Sequence, residues 1–267
     1  MQQMVAEKEM EADLNRASNN DGERHTVTIL GIRIDRIDMA HAIKRVEGFL
    51  KGSRPHLIVT ADAAGVVIAK HDDELRRIML TADLVTPDSS GILLGAKLQG
   101  TPLIERVSGV DLAQEICGLC ARTEHSVFLL GAAPGVAQAA ATMLQNKYPG
   151  LRVAGVHDGF FSDDKPVVEM IRSSGTDVLF VAMGIPKQEK WIARWIGELG
   201  VRAAIGVGGS FDVFSGNVQR APQWMRDHGL EWLHRVAINP RKMSKVAHLP
   251  KFALMVLRER LTPRRGR

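Results

Sequence analysis

Short apolar, β-branched runs alternate with longer segments in which apolar residues recur every three or four positions. The runs are His56–Thr60, Asp83–Thr86, Ser126–Leu130, Leu151–Val156, Asp177–Met183 and Arg202–Val207. Each is too short and too uniformly apolar for a half-exposed strand, and reads instead as a strand buried on both faces. The segments between them, Asp62–Leu80, Gly91–Gln99, Gly109–Arg122, Gly135–Lys147, Lys165–Ser173 and Lys187–Leu199, carry helical spacing. Strand–helix alternation of this kind predicts an α/β fold: a mostly parallel sheet with helices on both faces. Ahead of it, His25–Asp35 alternates in a way that suits a hairpin or two short strands. Met39–Lys51 then reads as a helix with Asp38 as its N-cap and Gly52 at its stop.

From Ala221 the alternation ends. Gln223–Ala237 and Lys242–Arg260 read as helices separated by Asn239-Pro240, the second interrupted near Pro250. Charge changes at the same place. Residues 220–267 hold 12 Lys/Arg against 3 Asp/Glu, whereas residues 1–219 hold 23 against 27. A boundary is therefore expected at 219, between a core, 25–219, and a basic appendage, 220–267. The basic end suits an anionic surface or ligand, or else a solvated helix face. Residues 1–24 are mixed in charge with no apolar stretch, which reads as a disordered tail rather than a secretory leader. The longest apolar runs fall far short of the ~20 residues that span a bilayer. Two cysteines in 267 residues cannot form a disulfide framework, and a cytoplasmic location is expected.

In parallel sheets, chemistry collects beyond the carboxyl ends of the strands. Five strand ends carry polar or glycine-rich sequence: 59–62, 85–91, 130–135, 182–189 and 206–212. Asp88 is a candidate general base, placed where a substrate hydroxyl could reach it; Pro87-Asp88-Ser89-Ser90-Gly91 is also ordinary turn sequence. Asp62 is a weaker candidate that would equally serve as a helix N-cap, and Asp83 better marks a strand start. Gly206–Asp212 could bring backbone N–H groups to an anion, or simply allow close strand–helix packing. Gly131–Gly135 followed by Asp158 suggests a dinucleotide loop with its ribose-binding acid, although the spacing is not G-x-G-x-x-G. An NAD(P)-dependent oxidoreductase is thus an alternative. Cys117 and Cys120 lie mid-helix without a second pair and fit a core role, with redox or metal work as the other option. The histidines do not cluster, and no metal is demanded. Nucleic-acid binding is a third reading of the basic end, but aromatic residues are only 5% and no nucleic-acid motif is present. For a diphosphate substrate handled without a metal, Arg106, Arg220, Arg235 and Arg241 are the cations at hand.

Taken together the motifs resemble the WecG/TagA/CpsF glycosyltransferase family. They are Thr60-x-Asp62, Pro87-Asp88-Ser89-x-Gly91, Arg106-Val107-Ser108-Gly109-x-Asp111 and Gly184-x-Pro186-x-Gln188-Glu189-x-Trp191. Further along come Gly206-Val207-Gly208-Gly209-x-Phe211-Asp212-x-x-x-Gly216, Arg220-Ala221-Pro222-x-Trp224 and Gly229-Leu230-Glu231-Trp232-Leu233-x-Arg235. The match runs in order over residues 27–260. The resemblance implies a Rossmann-like core and a C-terminal appendage that contacts the inner face of the cell membrane. It implies an inverting transfer from a UDP-sugar to a polyprenyl-diphosphate-linked sugar of the N-acetylglucosamine type, in cell-wall or exopolysaccharide synthesis. N-Acetylmannosamine is the first expectation for the sugar moved and glucose the second. No cofactor or nucleic-acid partner is implied; self-association of the core, in balance with a membrane-bound monomer, is. Carried over by motif, Asp88 matches the base and Arg235 the appendage arginine that approaches the diphosphate. Thr60 and Asp62 match positions lining the pocket, and Gln188 and Asp212 polar positions near the nucleotide-sugar; Arg106 and the loop glycines Gly208 and Gly209, read above from their own chemistry, complete the substrate-binding candidates. Two departures stand out: Asp62, where many members have Asn, and Ser89-Ser90 in a turn that is often Pro-Asp-Gly.

Overall fold

A computed structural model describes residues 25–228, 230–231, 233–234 and 248–261. The chain opens with an antiparallel hairpin, β1 (Thr26–Ile29) and β2 (Ile32–Asp35). Helix α1 (Met39–Lys51) follows, N-capped by Asp38 and stopped at Gly52 as the sequence predicts. Six strands then form one parallel sheet: β3 (His56–Ala61), β4 (Leu84–Pro87), β5 (Ser126–Gly131), β6 (Arg152–His157), β7 (Val178–Ala182) and β8 (Ala203–Gly206), in the order β4-β3-β8-β7-β5-β6. The helices between them are α2 (Ala63–Ala69), α3 (Asp73–Thr81), α4 (Ser90–Leu98), α5 (Gly109–Arg122), α6 (Val136–Lys147), α7 (Asp164–Ser174) and α8 (Lys187–Trp195). After β8 come α9 (Ser210–Phe214), α10 (Gln223–Asp227) and α11 (His248–Leu261).

Why the strands read as continuous apolar runs is clear from the two cores they divide. Alternate residues face opposite sides: Val127 and Leu129 join one core while Phe128 and Leu130 join the other. In β7, Leu179 and Val181 likewise part from Val178 and Phe180. Helices α1, α5, α6 and α9 cover one face; α2, α3, α4, α7, α8 and α11 cover the other. Burial on both faces removes the polar half of the usual alternation in β3, β4, β5, β7 and β8; β6 departs from that expectation, because at the sheet edge its Arg152 and Ala154 are exposed and its other residues half-buried. The result is the Rossmann-like three-layer α/β arrangement expected.

Three expectations need correction. Asp62–Leu80 is two helices, because Asp72 accepts from the Leu75 N–H at 3.0 Å and starts α3 afresh. Gln223–Ala237 is not one helix: α10 ends at Asp227, and the Leu230 N–H turns back to the Met225 carbonyl at 2.7 Å. Pro250 does not interrupt α11. Within His248–Leu261 the helix runs on through it, and residues 242–247, the rest of the expected helix, lie outside the described residues.

The last helix packs on the core. Phe252 and Val256 are buried against α4, with the Phe252 ring lying over Gly95. Glu259 accepts from the Leu30 N–H at 3.2 Å and from Gln99 Nε2 at 2.9 Å, tying α11 to the hairpin turn.

Candidate active site

The sheet order places the ends of β4, β3, β8 and β7 side by side, so the loops after them share one edge. β3 runs on to β4 on one side, while its other neighbour, β8, arrives from the far half of the chain. The chain leaves β3 into α2 on one face of the sheet and leaves β8 into α9 on the other, and in open α/β sheets ligands bind beyond the carboxyl ends of neighbouring strands that part in this way. Thr60 sits there, buried, with its Oγ1 donating to the Gly206 carbonyl across the β3–β8 boundary at 3.3 Å. Its side chain packs against Gly109, where a Cβ would lie 3.2 Å from Thr60 Cγ2.

The Pro87–Ser90 turn is held on three sides. The Asp88 N–H donates to the Ala61 carbonyl at 2.9 Å, and the Val107 N–H to the Pro87 carbonyl at 2.9 Å. Ser89 Oγ accepts from the Ala63 N–H at 3.2 Å and the Ile92 N–H at 3.4 Å, so it caps α4 and touches the start of α2. The residue with ordinary turn duties is thus Ser89. Asp88 points elsewhere: its half-buried carboxylate accepts from the Gly109 N–H, at the start of α5, at 3.0 Å. A negative charge is stabilised at that end of a helix.

Asp62 is the N-cap of α2, with Oδ1 accepting from the Gly65 N–H at 2.6 Å. Asp83 lies at the strand's other end, before β4, binding the Leu57 N–H at 2.8 Å and Arg54 at 2.7 Å. Gln188 is buried and joins two loops. Its Oε1 accepts from the Gly184 and Gly208 N–H groups, each at 3.0 Å, and its Nε2 donates to Glu189 at 2.7 Å. This explains the glycines after β8. A Cβ on Gly206 would stand 2.5 Å from Gln188 Nε2, and Gly208 adopts φ +51°. Val207, Gly208 and Ser210 all donate their N–H groups to protein acceptors, which favours close packing over an anion cradle for much of this loop. Gly209 caps the short α9, and Asp212 sits half-buried in its first turn. Arg235 and Arg241 lie outside the described residues.

A cluster of charges that the sequence did not join lies around the N-terminus of α5. Ser108 caps that helix and donates its hydroxyl to Asp111 at 2.6 Å. Arg220 grips the same carboxylate with both Nη atoms, Nη2 at 2.7 Å from Oδ2. Arg220 Nε is 3.9 Å from Glu231, and Glu231 also receives Arg106 Nη1 at 3.0 Å. Burial pushes the Asp111 carboxyl up, but the bonds from Arg220 and Ser108 outweigh it and hold the group below its ordinary range. For Arg220, burial alone would lower the pKa; Asp111 more than reverses it. Both partners came from quoted motifs, yet 109 residues separate them, and no local spacing reveals that meeting.

The remaining candidates settle into structural roles. Gly131, at φ +123°, would put a Cβ 2.5 Å from the Ala182 carbonyl, so its place is set by the approach of β5 to β7. The Asp158 carboxylate accepts from the Phe160 N–H at 2.8 Å and shapes its own loop. Cys117 and Cys120 are free thiols in the core, and burial pushes the Cys120 pKa up to about 12. Neither is poised as a thiolate. Among the described residues, no helix is long and apolar enough to cross a membrane.

Several known proteins resemble this chain over most of its length. A protein of Bacillus subtilis named N-acetylglucosaminyldiphosphoundecaprenol N-acetyl-beta-D-mannosaminyltransferase is 34% identical over 203 residues, 76% of this chain and 79% of its own. A protein of the same name from Bacillus spizizenii is 34% identical over 210 residues, 79% and 82% of the two chains. Another from Staphylococcus aureus is 31% identical over 228 residues, 85% and 90%. These relatives are transferases, and the oxidoreductase alternative finds no support. The model of the glycosyl transferase WecG/TagA/CpsF family matches residues 27–266, and the chain belongs to that family: it is a glycosyltransferase.

Proposed function

We propose that the enzyme transfers N-acetylmannosamine from UDP to a polyprenyl-diphosphate-linked N-acetylglucosamine, with inversion at the anomeric carbon. The relatives' shared name supports the sugar and the acceptor. The carrying observation for the chemistry is Asp88, a half-buried carboxylate at the sheet's C-terminal edge, steadied by the Gly109 N–H at 3.0 Å.

In this reading the acceptor's hydroxyl docks against Asp88. As that oxygen attacks the anomeric carbon, its proton passes to the Asp88 carboxylate and the bond to UDP breaks with its electron pair. Charge grows on the leaving diphosphate and falls to arginines. Arg106 is placed for this once Glu231 yields it, and Arg235 would approach from the appendage. Thr60, Gln188, Gly208, Gly209 and Asp212 shape the donor side of the crevice, with Asp62 fixing the start of α2 beside it. We assign residues 220–267 to the membrane face on which such an acceptor resides. The exposed side of α11 carries Lys251, Leu254, Leu257 and Arg258, a mixed basic and apolar surface. Self-association of the core is part of the same reading.

The test is UDP release from UDP-N-acetylmannosamine with and without a polyprenyl-diphosphate-N-acetylglucosamine analogue. Acceptor-dependent release is expected, and Asp88→Asn should lower it by roughly 10²-fold or more, with UDP binding retained. Release from UDP-glucose alone would overturn the donor, and full activity of Asp88→Asn would remove the base.

A further inference from the structure

We infer that Arg220 is a positioning residue for Asp88, acting through its two-pronged grip on Asp111 to hold the α5 N-terminus against the base. This rests on Asp88 being the base, as proposed above.

The chain of contacts is short. Asp88 is anchored by the N–H of Gly109, the first residue of α5. Whether that N–H points at Asp88 depends on how the first turn of α5 is held. Two residues hold it: Ser108, the N-cap, and Asp111, whose carboxylate takes the Ser108 hydroxyl at 2.6 Å. Arg220 closes the unit from outside the helix. It binds both Asp111 oxygens and reaches Ser108 Oγ at 3.4 Å. Its Nε faces Glu231 at 3.9 Å, which is already bonded to Arg106. A planar guanidinium that meets a carboxylate with two parallel bonds fixes orientation as well as distance, which an ammonium cannot do. Asp88 is also among the charges that favour the charged state of Arg220, so the cation lies within electrostatic reach of the base.

Arg220 itself belongs to the segment that leaves α9 and leads into α10. The clamp therefore couples the chain beyond the sheet to the first turn of α5. A displacement of the base by about 1 Å is enough to cost roughly 10²-fold in rate, so loosening this turn should appear in kcat before it appears in binding.

Four variants test the inference, each assayed with both substrates saturating and each melted in parallel. Arg220→Gln and Asp111→Asn should each lower kcat by about tenfold, with donor KM changed less than about threefold. Arg220→Lys keeps the charge and loses the fork; it should fold normally and still lose kcat several-fold. The double variant Arg220→Gln/Asp111→Asn leaves neither charge buried alone. Its melting temperature should recover toward the parent's while kcat stays low. Recovery of kcat together with the melting temperature would show a merely structural pair and overturn the inference. Native kcat in Arg220→Lys would overturn it as well, even if the glutamine variant failed to fold. Asp88→Asn, run alongside, separates the two readings. If it is inactive while the Arg220 variants are native, only the positioning role falls. If it is fully active, the assignment of the base falls first.

Discussion

At the residue scale, close approach decides most of what surrounds the crevice. Gly206 is the clearest case. Its Cα faces the Gln188 amide so closely that a Cβ would stand 2.5 Å from Nε2 and 2.9 Å from Cδ. Gln188 has little room to retreat, since it is buried and holds the Gly184 and Gly208 N–H groups. Gly206→Ala should therefore cost about 1–3 kcal/mol of stability, the usual range for overpacking. It should also raise donor KM, because the loops after β7 and β8 would part. Chemical denaturation and steady-state kinetics on one preparation check both; an alanine variant with native stability would show that Gln188 is free to move. Asp111 makes a prediction about acid. Its folded-state pKa lies below the ordinary value of 3.8, so the stability that ionised Asp111 contributes is present above that value. It is lost as pH falls through the lower folded value. The stability gap between the parent and Asp111→Asn should be full near neutrality and close at pH below 3.8. Urea melts across pH 2–7 measure it, and a gap that widens in acid would contradict the ion pair.

Elements show the same logic one level up, in how α11 docks. Its partner helix, α4, carries Gly95 at the contact, and a Cβ there would meet Phe252 Cε1 and Cζ at 2.9 Å. Helix propensity favours Gly95→Ala by about 1 kcal/mol, and the clash with a buried ring opposes it. The expected outcome is a well-formed α4 with a loosened α11. Amide exchange should rise over 250–261 with little change over 90–98; unchanged exchange in α11 would mean that Phe252 has room to turn. Such contacts also mark the limit of what the sequence reveals. Strand existence and strand ends were legible, because burial on both faces writes continuous apolar runs in every strand but the edge strand β6. The start of α1 was legible, because Asp38 and Gly52 cap locally. The break at Asp72 was missed because the apolar spacing runs through it and the cap is a single residue. In the site, Asp88, Thr60 and Gln188 were legible as polar residues at strand ends. The Asp111–Arg220 grip was not, since it joins segments that only the crossover of the sheet brings together.

For the whole molecule, the question is how a core with its chemistry on one sheet edge meets a lipid-linked acceptor. The described C-terminal helix offers both an inner and an outer face. Phe252 and Val256 face inward and are buried, whereas Lys251, Leu254, Leu257 and Arg258 are exposed. Deleting residues 220–267 would strip the inner face from the core as well, together with Arg220 and Glu231, so loss of membrane binding in that truncation would report unfolding as readily as charge. Substitution on the outer face separates the two. Lys251→Glu/Arg258→Glu leaves the buried side untouched, and Glu259 keeps its bonds to Leu30 and Gln99. Near an anionic surface each basic residue contributes about 1 kcal/mol. Two reversals should therefore weaken binding to phosphatidylglycerol vesicles by at least about tenfold. Leu254→Ser should weaken it further, by removing an exposed apolar group from the same side. Vesicle sedimentation at two salt concentrations reads both effects. The charge effect should shrink as ionic strength rises, and the Leu254 effect should persist. Meanwhile UDP release on a short, water-soluble acceptor should stay native in both variants, because neither of them touches the crevice. Native vesicle binding by the charge-reversed protein would move the membrane contact off this helix.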